Sequence, residues 1–149
     1  MSSRPSFRGI CQLSLLVISV AVSGCGGTAE IAEVEGVLLI NGKPGDAVAI
    51  QFIPDSDKGT TGPMSTAETD SEGRFKLQLF DVKTGSGKPG AVVGAHRVVL
   101  SDKRLAESST GRGVPIRFNS EYTLVGSTPL TWEVHAGKQS IELKVPPKP

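Results

Sequence analysis

The chain has two hydrophobic patterns that meet near residue 25. Residues 10–22, ICQLSLLVISVAV, are almost continuously apolar, whereas from Glu33 onward apolar and polar residues alternate and are interrupted by turn residues. Alternation with a period of two places one set of side chains on each face of a β-strand. The pattern therefore predicts a short apolar leader followed by a β-rich region.

The β-rich region divides into short segments that are predicted as strands. They are EVEGVLLIN (33–41), AVAIQFIP (47–54), MSTAETD (64–70), RFKLQLF (74–80), GAHRVVLSD (94–102), PLTWEV (129–134) and SIELKV (140–145). No segment is a convincing helix. Many short strands joined by turns are typical of an all-β fold, and we expect one antiparallel β-sandwich of about seven strands.

Turn residues separate these segments at the expected places. Asn41-Gly42 is a strong hairpin signal because both residues tolerate positive φ. Asp70 can accept backbone hydrogen bonds across the next turn, and Gly73 can supply its left-handed residue. At the end of the chain, HAGK (135–138) predicts a hairpin between the last two strands, with Trp132 on the inward face.

Length and composition support one globular domain. The 149 residues include 38% hydrophobic and 21% charged residues, with 18 Gly, 10 Pro and a formal net charge of +1. A nearly neutral chain gives no electrostatic reason to expect a nucleic-acid partner. The two cysteines are Cys11 and Cys25, so the β-rich region can hold neither an internal disulfide nor a cysteine-based zinc site.

The first residues have the organisation of a secretory signal peptide. Arg4 and Arg8 precede the apolar run with no acid among them, and small residues follow it. The run is also shorter than the roughly 20 residues that a transmembrane helix needs. The last four residues of this region, Val22-Ser23-Gly24-Cys25, resemble the lipobox of bacterial lipoproteins.

This resemblance implies cleavage between Gly24 and Cys25 and attachment of acyl chains, such as palmitate, to Cys25. Residues 1–24 would then be the cleaved signal peptide and residues 25–32 the lipidated cysteine with a flexible tether. Residues 33–146 would form the β-sandwich domain and residues 147–149 a tail. We expect a membrane-anchored protein of the bacterial cell envelope, with the membrane leaflet left open.

Several motifs of the β-rich region also resemble a known domain. They are NGKP (41–44), FIPD (52–55), T-D-x-x-G-x-F-x-L (69–77) and G-x-H-x-V-x-L (94–100). Together they resemble the carboxypeptidase regulatory-like or transthyretin (prealbumin)-like domain of small bacterial envelope lipoproteins. The segment VPIRFN (114–119) resembles the C-terminal part of those proteins, although Phe118 stands where tyrosine is more usual. These are turn and core motifs, so they bear on fold more than on function.

Catalytic and metal signatures are weak. His96 lies on the apolar face of a predicted strand, which favours a core histidine over a general base, and His135 borders a turn. Asp55 and Asp57 lack the other ligands of a calcium loop. The segment GSGKPG (85–90) lacks the spacing of a phosphate-binding loop. We therefore expect no catalysis, no metal and no cofactor.

The remaining candidate is the long polar stretch from Ser101 to Thr128. We treat its residues Arg104, Arg112, Arg117 and Tyr122 as a candidate binding loop, since long loops on rigid scaffolds often carry binding residues. The alternative is a connection whose charges are merely solvated.

The expected function is a binding or structural module with an envelope protein or a glycan as partner. Two alternatives stay open. One is a carbohydrate-binding module that uses Phe118 and Tyr122 as an aromatic platform, and the other is a small envelope hydrolase with an unrecognised site.

Overall fold

The computed structural model describes residues 29–81, 86–108 and 113–148. In this part the protein is all-β, as predicted, and each of the predicted strand segments is found. The only α-helix in these ranges is α1 (Lys103–Glu107). The strands are β1 (Ile31–Ala32), β2 (Val34–Ile40), β3 (Lys43–Pro44), β4 (Val48–Pro54), β5 (Ser65–Glu68), β6 (Arg74–Lys76), β7 (Gln78–Asp81), β8 (Ser86–Pro89), β9 (Ala91–Val92), β10 (Gly94–Asp102), β11 (Thr131–Val134) and β12 (Gln139–Val145).

One layer of the sandwich is a six-stranded antiparallel sheet with the order β11-β10-β4-β5-β7-β8. Its longest ladder joins β4 and β10, from His96 opposite Pro54 to Asp102 opposite Val48. The alternation in β4 leaves Ile50 and Phe52 fully buried, as the sequence pattern predicts.

The second layer is built around β2, which pairs with β12 on one side and with β3 and β6 on the other. The β2–β12 pair is parallel, from Gln139 opposite Val34 to Val145 opposite Ile40. A small separate sheet joins β1 and β9.

The predicted hairpin between the last two strands is wrong. β11 pairs with β10 in the six-stranded sheet, and β12 pairs with β2 in the other sheet, so residues 135–138 cross from one layer to the other. The faces were predicted correctly, since Ile141 and Leu143 are buried and Trp132 packs against the core. Alternation specifies which face of a strand is buried, but both layers bury a face against the same core. It therefore leaves the pairing partner undetermined.

The turn at Asn41-Gly42 is confirmed, with φ of 53° and 71°. The hairpin that it closes is short, because β3 contains only two residues before the chain crosses to β4 in the other sheet. The Asp70 turn is confirmed as well. Its carboxylate accepts hydrogen bonds from the backbone N–H groups of Glu72 and Arg74, both at 2.9 Å, and Gly73 has a φ of 74°.

The predicted strand after this turn is divided between the layers. β6 pairs with β2, whereas β7 pairs with β5 in the six-stranded sheet. Leu77 lies at the division, where its backbone N–H donates to Val34 and its carbonyl accepts from Gly90. Phe75, Leu77 and Leu79 are nevertheless all buried, so the chain changes sheets without losing the alternation.

The sandwich has two ends that matter for function. The N-terminal end contains Ile31, Pro54 and Gly94, and the far end contains Ile40 and Asp102. Within the residues described above, no helix is long and apolar enough to cross a membrane.

Candidate functional site

The described parts of the predicted binding loop, residues 101–108 and 113–128, lie at the far end. The loop begins with α1, which is capped by the Asp102 carboxylate at 3.2 Å from the backbone nitrogen of Arg104. Residues 120–123 form a 3₁₀ turn that packs on β10. The Thr128 hydroxyl then donates to the Val98 carbonyl at 2.7 Å, which ties the end of the loop to β10. Arg112 lies outside the described residues.

Arg117 and Asp102 form a bidentate ion pair beneath this loop. The Nε and Nη2 atoms of Arg117 donate to the two carboxylate oxygens of Asp102 at 2.7 and 2.8 Å. The side chains are 14% and 2% exposed, so water screens the pair poorly. Planar two-point geometry of this kind is the strongest form that an Arg–carboxylate contact takes.

The pair belongs to a larger ionic cluster, which we define as Asp46, Asp102, Arg104 and Arg117. Arg117 also donates to the Asp46 carboxylate at 2.9 Å and to its backbone carbonyl at 2.7 Å. Arg104 lies 3.4 Å from Asp102 and 4.0 Å from Asp46. Two acids thus balance two bases, and the guanidinium of Arg117 is occupied by internal partners. The cluster therefore joins the loop to the sandwich and leaves Arg117 committed to internal contacts.

The electrostatics of Asp102 agree with this role. Burial raises the pKa of this carboxyl group, but the hydrogen bonds from Arg117 and Arg104 outweigh burial and hold the pKa below its ordinary value. Asp102 is therefore ionised at neutral pH and supplies the buried charge that the two arginines neutralise.

Sequence reasoning missed Asp46 and Asp102. Asp102 had a local signal, because an aspartate directly before the helical segment is a typical N-cap. Asp46 had none, since the residues between it and Arg117 are too many for a sequence pattern to connect them. The backbone at Ala47, with a φ of 51°, adopts a left-handed conformation directly after Asp46.

The aromatic residues of the loop are buried rather than displayed. Phe118 and Tyr122 are 4% and 6% exposed and contact each other edge to face, with ring centroids 6.4 Å apart at 81°. They extend the hydrophobic core under the loop. The aromatic platform expected for a carbohydrate-binding module is therefore not formed by these two residues.

A cleft of about 440 Å³ opens beside the ionic cluster. Leu105, Ile116 and Phe118 contribute apolar surface, and Glu121 and Lys148 contribute charges of opposite sign. Ile116 is 55% exposed. Such a cleft can receive an apolar group while hydrogen-bonding polar groups at its rim.

His96 is a core residue, as predicted. It is 1% exposed, its Nδ1 lies 2.9 Å from the Gly94 carbonyl, and its ring contacts Phe52 at 5.8 Å. Its Nε2 has no hydrogen-bond partner among the described residues. Burial lowers the pKa of His96 below its ordinary value, although the Gly94 carbonyl and the charge of Glu133 act in the opposite direction.

The stability of the protein is expected to fall as the pH drops below about 6.5, the pKa of an unperturbed histidine. The unfolded chain takes up a proton on His96 more readily than the folded protein, so stability present above this pH is lost below it, by at most about 1.4 kcal/mol per pH unit. Urea unfolding from pH 7.5 to 5.0 measures this slope. His96→Gln should flatten it, because glutamine takes up no proton in this range. An unchanged slope in His96→Gln would contradict this assignment.

The aspartates of the PDSD segment have an internal partner. Arg97 lies 3.3 Å from the buried Asp55 and 3.0 Å from Asp57. In the described ranges, no group of three or more acidic, histidine or cysteine side chains is placed to hold a metal ion.

Gly24 and Cys25, the predicted processing site, lie outside the described residues. The first strand after them, β1, is at the N-terminal end of the sandwich, and the cleft is at the far end. Comparison of the chain with protein-family models, with curated protein sequences and with solved structures gave no match.

Proposed function

We propose that this protein is a bacterial envelope lipoprotein that is anchored through acyl chains on Cys25 and presents a β-sandwich as a non-catalytic binding or structural module. The observation that carries the proposal is the sequence Val22-Ser23-Gly24-Cys25 directly after a basic start and an apolar run. Two or more acyl chains give stable membrane attachment, whereas one gives only marginal binding.

The fold is consistent with this function. The tether reaches the sandwich at β1, and the cleft beside the ionic cluster lies at the opposite end. An anchored protein of this shape would hold the cleft away from the bilayer, where a soluble or envelope-bound partner can reach it. The all-β sandwich also fits the transthyretin-like or carboxypeptidase regulatory-like domain that the sequence motifs resemble, and we retain that assignment as part of the proposal.

The alternatives lack a supporting observation. A hydrolase that uses His96 as its base is not favoured, because His96 is buried in the core. A carbohydrate-binding platform made of Phe118 and Tyr122 is not favoured, because both rings are covered. The cleft, with apolar walls and a mixed-charge rim, instead favours a protein or peptide partner.

Replacement of Cys25 by serine is expected to abolish lipidation. Cells grown with a clickable fatty acid should label the wild-type protein, and mass spectrometry should find a mature N-terminal peptide that begins with acylated Cys25. Cys25→Ser should lose the label because serine lacks the thiol that accepts the diacylglyceryl group. Cys11→Ser is the matched control and should keep the label, since Cys11 leaves with the signal peptide. An unacylated mature chain, or one that begins elsewhere, would contradict the proposal.

A further inference from the structure

Three large apolar side chains are exposed at the N-terminal end of the sandwich. They are Ile31 at 41%, Met64 at 45% and Phe80 at 52% exposure. We call them the apolar end patch. Groups of large exposed apolar side chains often mark contact surfaces. The described residues hold a second such group, Ile116, Leu124 and Val125, in the loop at the far end, but only the apolar end patch lies at the end where the predicted tether joins the sandwich.

The topology places two of these side chains next to each other. β5 and β7 are antiparallel, with Ser65 opposite Leu79. Both of these residues are buried, and the next positions beyond the pair, Met64 and Phe80, are exposed, so the two side chains point away from the core at neighbouring places. Met64 and Phe80 therefore form one apolar surface at the outer side of the six-stranded sheet.

Ile31 belongs to the same end of the molecule. It pairs with Val92 in the β1–β9 ladder. Gly62 lies against Val92, because a methyl group added at Gly62 would be 2.9 Å from the Val92 side chain. Met64 follows Gly62 by two residues, so its Cα lies within about 7 Å of that glycine and at the same end of the sandwich as Ile31.

The tether brings the lipid anchor to this end. Residues 26–30 separate Cys25 from Ile31. An extended chain spans at most about 3.6 Å per residue, so the acylated cysteine can be no more than roughly 20 Å from Ile31. The far end is a further sandwich length away, about 23 Å along β12 at ~3.3 Å per residue. The apolar end patch is therefore the surface that anchoring brings nearest to lipid.

The charges around the patch are mixed. Glu30 and Glu33 are exposed on the N-terminal segment, and Lys58 and Lys88 are exposed on the neighbouring loop and strand. This balance neither repels nor strongly attracts anionic headgroups. Contact with a bilayer would therefore depend on the apolar side chains rather than on the headgroup charge.

We propose that the N-terminal end of the sandwich rests on the membrane surface, with Ile31, Met64 and Phe80 in the interfacial region. This inference depends on the proposed lipid anchor. The anchor makes the contact intramolecular, so even weak apolar contacts are formed at the high effective concentration that a short tether provides. The domain then has a defined orientation, with the cleft facing away from the bilayer.

Depth-dependent fluorescence quenching tests the proposal. The mature chain after Cys25 has no other cysteine, so Met64→Cys and Phe80→Cys each introduce one reactive thiol. The full-length lipidated proteins are labelled with an environment-sensitive fluorophore and reconstituted into phosphatidylcholine vesicles that contain a lipid with a quencher on its acyl chain. Leu124→Cys, at a residue 61% exposed in the loop at the opposite end, is the matched control.

Labels at residues 64 and 80 should shift to the blue and lose most of their fluorescence to the lipid quencher, whereas the label at Leu124 should keep its fluorescence. The same result is expected with phosphatidylglycerol in the vesicles. Equal quenching at the three positions, or none at 64 and 80, would overturn the proposed orientation even though the acylated protein is vesicle-bound. Failure of the proposed function would be detected separately, because mass spectrometry of the mature N-terminal peptide would then find no acyl group on Cys25.

Discussion

Replacement of Arg117 by methionine is expected to lower the free energy of unfolding by roughly 3–5 kcal/mol, the range observed when one partner of a buried ion pair is removed. Methionine has a similar length but no charge, so Asp102 would keep a buried carboxylate without its bidentate partner. Asp46 would also lose two hydrogen bonds. Urea unfolding followed by tryptophan fluorescence measures the change, since Trp132 is the only tryptophan.

The double variant Arg117→Met with Asp102→Asn identifies the source of this loss. Asparagine removes the buried charge but can still cap α1. The double variant should therefore recover part of the stability that Arg117→Met loses. Lys144→Met is the surface control, because it breaks a 2.7 Å ion pair with Glu142 whose side chains are 74% and 51% exposed. We expect little change there. A comparable loss in Lys144→Met and Arg117→Met would contradict the structural role of the ionic cluster.

Replacement of Phe52 by alanine is expected to cost about 3–5 kcal/mol of stability, as is typical for a large aromatic residue removed from a packed core. Phe52 is fully buried at the centre of the six-stranded sheet, opposite Val98 on β10 and Ser65 on β5. The substitution would leave a cavity beside the His96 ring, which Phe52 contacts. Thermal and urea unfolding should both detect the loss.

Phe80→Ala is a matched control for Phe52→Ala, since the same atoms are removed from a residue that is 52% exposed. Its effect on stability should be much smaller, because little buried apolar surface is lost. If the chain is acylated and oriented as proposed, the same substitution should also weaken the contact between the N-terminal end and the bilayer. If Phe80→Ala destabilises the purified protein as much as Phe52→Ala, Phe80 belongs to the core and the apolar end patch is incorrectly assigned.

The fold class and the faces of the strands were predictable because they depend on neighbouring residues. Alternation in RFKLQLF identified Phe75, Leu77 and Leu79 as buried, and the structure confirms each of them. Turn chemistry was equally local, as at Asp70 and Gly73. These features follow from side-chain size, polarity and backbone freedom within a few residues.

The pairing of the strands could be predicted less well from the sequence than their faces. The crossing from β11 to β12 looked like a hairpin, because a four-residue turn between two alternating strands fits either a hairpin or a passage between layers. Whether the second strand forms a hairpin with the first or joins the other layer depends on which sheet has an unpaired edge strand beside it. In this protein the open side of β2 accepts β12 in parallel, a pairing that no local pattern specifies.

The residues of the candidate site illustrate the same limit. Arg104, Arg117 and Tyr122 were identified as candidates by their residue type in a long loop, but their roles depend on distant partners. Asp46, at the end of the first hairpin, accepts a hydrogen bond from the Arg117 guanidinium. Tyr122 packs into the core beneath the loop. The charges that appeared available for a ligand are therefore largely neutralised within the protein.

The all-β class, the inward-facing residues and the main turns could be read from the sequence, because each follows from a pattern within a short stretch of chain. The lipidated Cys25 rests on such a local pattern as well and stays a prediction. The three-dimensional contacts were needed to show that Arg117 is an internal ion-pair partner, that β1 and the cleft lie at opposite ends of the sandwich, and that Met64 and Phe80 are neighbouring exposed positions at the end of the β5–β7 ladder. Those features arise from contacts between segments far apart in the chain, whose positions are set by packing two sheets around one core.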